Sequence, residues 1–63
     1  MAPVSLTHEE HLARVLRMAD RAGQLAIAAL VSGDLATHNR YERYRNIALD
    51  GYTAYAREHG LVA

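Results

Sequence analysis

From Leu12 onward apolar residues return every three or four positions. At about 100° per residue, Leu12, Val15, Leu16, Ala19, Ala22, Gly23, Ala26 and Leu30 fall on one face. That period predicts a helix. The subset Leu12, Leu16, Ala19, Gly23, Ala26 and Leu30 alternates steps of four and three, the spacing of a coiled-coil seam, and is the predicted contact face. Met18, Leu25 and Ala29 widen the apolar arc on one flank, and Ile27 extends it on the other. One neighbouring helix cannot cover so wide an arc. A second contact is therefore expected, with Met18, Leu25 and Ala29 as the expected dimer interface.

A second periodic stretch gathers Tyr41, Tyr44, Tyr52 and Tyr55 on one side, with Ala48, Gly51 and His59 among them. Glu42, Arg43, Asn46, Asp50, Thr53 and Arg57 lie opposite. Between the two stretches, Ser32-Gly33-Asp34 reads as a turn: Gly33 takes the left-handed position that ends a helix, and Asp34 caps the next. Thr37 is a competing cap, which leaves the second start uncertain by about one turn. Thr7-His8-Glu9-Glu10 fits a capping box at the first start, with the Glu10 carboxylate reaching back to the Thr7 N–H. Gly60 stops the second helix, with Leu61 folding back on Ala56. The expected fold is all-α: a single helical-hairpin domain over 1–63, with helix 1 at about 7–32, the turn at 32–34 and helix 2 at about 35–59. So short a connection makes the helices antiparallel. Tyr41 and Tyr44 then face Ala22, Gly23 and Ala26, with Gly23 permitting a close approach, and Ala48 and Gly51 face Ala19 and Leu16.

Length and composition change this picture in one respect. At 63 residues with no cysteine, the chain is near the lower limit for folding alone and has neither disulfide nor thiolate to help it. Such a hairpin is expected to dimerise into a four-helix bundle or to dock on a partner. Seven basic residues, all arginine, balance seven acidic ones, so the chain lacks the basic excess usual for a phosphate binder. Four histidines add positive charge under mildly acidic conditions. The start of the chain lacks the pattern of a signal peptide, and its longest apolar run, Leu25 to Val31, is far short of a membrane span. A cytoplasmic location without membrane contact is expected.

Three groups of side chains are candidates for chemistry. In Arg40-Tyr41-Glu42-Arg43-Tyr44-Arg45, tyrosines and arginines alternate. The rings suit a core packed on alanine, and the same residue types suit a binding hot spot, so Arg40, Tyr41, Arg43, Tyr44 and Arg45 are the candidate partner-binding residues. Arg14, Arg17 and Arg21, with Gln24, form a stripe read as lying opposite the apolar face of helix 1. A solvated face supported by Glu10 is the favoured reading, and a nucleic-acid ridge the alternative. His8, His11, His59 and Glu58 meet at the open end of an antiparallel hairpin, a conceivable zinc constellation, but no His-Glu-x-x-His pattern is present. Surface histidines are the preferred reading, and neither metal nor cofactor is expected. No nucleophile–base pair or glycine-rich phosphate loop emerges, so an enzyme is not expected.

In length, turn position and hairpin pattern the chain resembles the Rop-like plasmid copy-number regulators, short hairpins that dimerise into four-helix bundles. That resemblance implies RNA binding through one helical face, which keeps the Arg14–Arg17–Arg21 ridge in view. The Ser-Gly-Asp turn and the Arg/Tyr-rich second helix are also similar to small phage-encoded proteins that inhibit host factors, including anti-activators of quorum-sensing transcription regulators. That similarity implies a protein-binding inhibitor or adaptor, and the main expectation is a homodimeric hairpin that modulates a partner protein. The alternatives are a nucleic-acid-binding bundle and a small structural subunit of a larger complex.

Overall fold

The computed structural model of the chain describes residues 7–61. It consists of two packed α-helices, α1 (His8–Val31) and α2 (Leu35–Glu58), each of 24 residues. His8 meets Tyr55 at one end and His38 meets Ala26 near the turn, so the helices run antiparallel. Among the described residues, no helix is long and apolar enough to cross a membrane.

Each end of each helix has an identifiable stop. At the start of α1 the Glu10 N–H donates to the Thr7 hydroxyl oxygen at 3.1 Å. The expected return bond takes another form: the Thr7 hydroxyl itself donates to the Glu10 carboxylate, also at 3.1 Å. At the turn, Gly33 takes a φ of 82°, and its N–H donates to the Leu30 carbonyl while the Asp34 N–H donates to that of Ala29. These paired bonds make a Schellman closure, which satisfies carbonyls the helix end would otherwise leave open. The same residue that closes α1 opens α2. Asp34, not Thr37, is the cap, and Thr37 donates to it from both its N–H (3.0 Å) and its hydroxyl (2.6 Å). Gly60 repeats the left-handed stop with a φ of 66°, and the Leu61 N–H donates to the Ala56 carbonyl at 2.8 Å.

The core is made of alanine. Among the described residues the buried ones are Ala19, Ala22, Ala26 and Ala29 of α1 and Ala56 of α2, with Ala26 fully inaccessible. The α1 positions step by three, four and three, so the seam is regular but rotated from the predicted one. Leu16 and Leu30, expected in it, are 44% and 49% exposed. A methyl group lets two helices approach more closely than a leucine does. Close packing over the alanines then leaves bulkier side chains at the rims. On α2 the half-buried His38, Tyr41, Arg45, Ala48, Tyr52 and Tyr55 cover the seam. His38 adds a polar tie: its Nδ1 lies 2.8 Å from the Ala26 carbonyl oxygen. A carbonyl only accepts, so Nδ1 carries the proton.

Three packing expectations change. Ala29, expected on a free flank for dimerisation, is buried inside the hairpin because the rotated seam passes through it. Gly51, expected opposite Ala19 and Leu16, is exposed, and a Cβ there would meet nothing within 4 Å. Gly23 does not admit a close backbone; the stem of Arg45 lies over it, with Cδ 3.4 Å from where a Cβ would sit. That is ordinary contact with a flexible side chain.

Gly23→Ala should therefore raise stability, by up to about 1 kcal/mol from helix propensity, read as a higher midpoint in urea. A lower midpoint would mean that the Arg45 stem cannot yield. Acid acts through the turn. The bonds from the Thr37 hydroxyl and then its N–H hold the Asp34 carboxyl below its ordinary value, with help from Arg40. A depressed pKa stabilises the fold above the usual carboxylate range, and that contribution is lost as pH falls through it. Asp34→Asn keeps the capping oxygen and removes the titration. Its melting temperature should thus fall less than wild type between about pH 5 and pH 2.5; equal falls would remove Asp34 from the acid response.

Candidate interaction groove

The alanine seam leaves an open groove on each side, because two helices form only one layer and domains ordinarily need two. The first groove has a floor of Ala22, Leu25 and Ala48, with Met18 on its α1 edge and Tyr41 and Tyr44 on α2. Arg14, Arg17 and Arg21 form its outer wall. Met18 is 59% and Tyr44 51% exposed, so large apolar surfaces stand open to water here. The two tyrosine rings meet edge to face, their centroids 6.0 Å apart, which fixes each against the other.

The second groove is lined by Leu16, Ile27 and Leu49 around a polar centre of Asp20, Gln24, Glu42 and Arg45. Here two carboxylates stand with one arginine. Arg45 pairs with Glu42 at 3.5 Å, and Gln24 donates to Asp20 at 3.1 Å. Among the described residues the Arg45–Glu42 contact is the one ion pair, so Arg14, Arg17 and Arg21 have no carboxylate partner. No acidic residue lines the first groove.

This geometry regroups the residues singled out in the sequence. Met18 and Leu25, Tyr41 and Tyr44, and Arg14, Arg17 and Arg21 entered as three separate features, and all seven border one groove. The arginines therefore do not lie opposite the packed face; they flank it. A signal for this was present: Arg14, Met18, Arg21 and Leu25 step by four, three and four, a second stripe beside the alanines. The Arg40–Arg45 segment, by contrast, divides. Arg45 belongs to the second groove, while Arg40 and Arg43 are exposed and line neither. The second groove has no such signature, because Leu16 falls on the predicted seam and Leu49 on no predicted face.

The histidines of the open end also converge, but on a ring cluster. His8 Nδ1 and Tyr55 Oη are hydrogen-bonded at 2.8 Å. The His8–His59, His11–Tyr55 and Tyr55–His59 ring pairs have centroids 4.6, 4.3 and 4.3 Å apart, all tilted. Tyr55 sits in the middle and ties the two chain ends of the hairpin together. Among the described residues no group of three His, Asp or Glu side chains is placed to hold a metal ion.

Comparison with protein-family models, with curated proteins and with solved structures returns no match.

Proposed function

We propose that this hairpin is a small non-enzymatic regulator that modulates a partner protein, such as a transcription regulator or another host factor, by seating part of it in the first groove. The observation that carries this reading is the groove itself. A floor of Ala22, Leu25 and Ala48 lies open between Met18 and the Tyr41–Tyr44 pair, with unpaired arginines at the rim. Exposed tyrosine, methionine and arginine around an apolar centre are the residue types that dominate binding hot spots. The resemblance to phage-encoded inhibitors of host factors points the same way. An interface of usual size covers about 800 Å² per partner, more than a single groove of this length offers. The partner therefore also reaches the exposed surface of α2, where Arg40 and Arg43 stand.

Homodimerisation into a four-helix bundle belongs to the same proposal but uses the other side. Met18 and Leu25 are committed to the partner and Ala29 to the seam, which leaves Leu16, Ile27 and Leu49 for a second copy. Arg45 of each copy would then face Asp20 or Glu42 of the other, so opposite charges can meet across that groove.

The test is affinity capture from the native host with the tagged chain, comparing wild type with Met18→Ser/Tyr44→Ala. Both side chains are more than half exposed, so the variant should keep wild-type circular dichroism and sedimentation. Truncating one hot-spot tyrosine costs about 2 kcal/mol or more, so the captured partner should drop by at least roughly thirtyfold. A partner recovered equally by the folded variant would place the contact elsewhere and sink the groove reading.

A further inference from the structure

We infer that the occupant of the first groove is an acidic amphipathic α-helix, laid along α1 as a third helix. This rests on the proposed partner-binding role of the groove and specifies the chemistry of what fills it.

The charge of the wall favours an acidic guest. The chain is neutral overall, yet Arg14, Arg17 and Arg21 stand along one wall with no acidic residue in the lining and no ion pair. Glu42 and Asp20 line the second groove instead, where they bond Arg45 and Gln24. The only charged side chains in the groove's lining are thus arginines, and its wall presents a locally positive surface to a partner.

The backbone of the groove favours a helical guest. Both walls are helices, whose N–H and C=O groups are already bonded within the helix, so the groove offers no edge for a strand to join. An extended segment laid on this apolar floor would leave its own backbone polar groups unpaired. A helix satisfies them internally and brings only side chains. The stripe Arg14–Met18–Arg21–Leu25 repeats every seven residues, about 10.5 Å along α1. Apolar residues spaced i, i+3 or i+4, and i+7 on the guest would fall on Met18, Leu25 and Tyr44, and carboxylates one flank over would reach Arg14 and Arg21.

The competing occupants fit less well. Two copies meeting groove to groove across a two-fold axis would bring six arginines together. A groove meeting the acidic side of the next copy would be a head-to-tail contact, which grows rather than closes. A nucleic acid would satisfy the arginines but leave the Ala22–Leu25–Ala48 floor against phosphate or sugar.

The test uses the full chain, ¹⁵N-labelled, and designed helical peptides of about 20 residues with leucines at heptad spacing. One peptide carries glutamate at the flanking positions, a second lysine, and a third is the glutamate peptide with a central proline. The glutamate peptide should shift the resonances of Met18, Leu25 and Tyr44. The lysine and proline peptides should bind at least about tenfold more weakly, and Arg14→Gln/Arg21→Gln should erase the preference for glutamate. Equal binding of the lysine peptide would overturn the acidic preference, and equal binding of the proline peptide the helical one. Displacement of the glutamate peptide by a short RNA hairpin would hand the groove to nucleic acid. Growth of the free chain beyond a dimer, with the same resonances shifting, would hand it to a second copy. No binding of the glutamate peptide would also end this inference. A wrong peptide chemistry leaves host capture dependent on Met18 and Tyr44, whereas failure of the groove itself removes that dependence.

Discussion

Everything in this fold follows from the close approach of two helices over Ala19, Ala22, Ala26 and Ala29. Alanine is the best helix former and gives up no side-chain entropy when buried, so a seam of alanines orders cheaply. It also buries little. The five buried side chains are methyl groups, and none of the larger apolar residues is fully enclosed. Most of the apolar surface that would drive folding in a larger domain is left at the rims, in Leu16, Met18, Ile27, Leu30 and Ile47. The hairpin is thus held together by backbone economy and caps, and its large side chains remain available.

Precision comes from the ends. Asp34 closes one helix and opens the next within a three-residue connection, so the register of α2 against α1 is set where the chain turns. The His38 bond to the Ala26 carbonyl fixes that register one turn further on. At the far end the rings of His8, His11, Tyr55 and His59 stack where a hairpin would otherwise fray. Only with the register fixed at both ends do Met18 and Leu25 of one helix come level with Tyr41 and Tyr44 of the other.

The helices, the turn, the Thr7 cap and the two glycine stops are legible in the sequence, because caps and left-handed glycines act within five residues. The rotation of the seam is not. Leu12, Leu16 and Leu30 and the alanine set Ala19, Ala22, Ala26 and Ala29 are stripes about 70° apart around α1, and periodicity alone does not say which of them packs. Size decides it: α2 brings tyrosines and the Arg45 stem, which fit over methyl groups. The assignment of Ala29 to a free flank and of the arginines to the far side both came from that one rotation. The residue types of the candidate groove stand out in the sequence only as separate features, since the seam alone decides which stripes become neighbours.

Both grooves depend on Ala26 being the tightest point of the hairpin. The most direct measurement is the urea midpoint of Ala26→Leu. Leucine is also a good helix former, so propensity scarcely changes, and the variant reports on space alone. A fully inaccessible Ala26 pressed against α2 predicts a loss of about 1–3 kcal/mol from overpacking. A midpoint equal to wild type or higher would mean that the helices do not meet over the alanines, and the grooves as drawn would not exist.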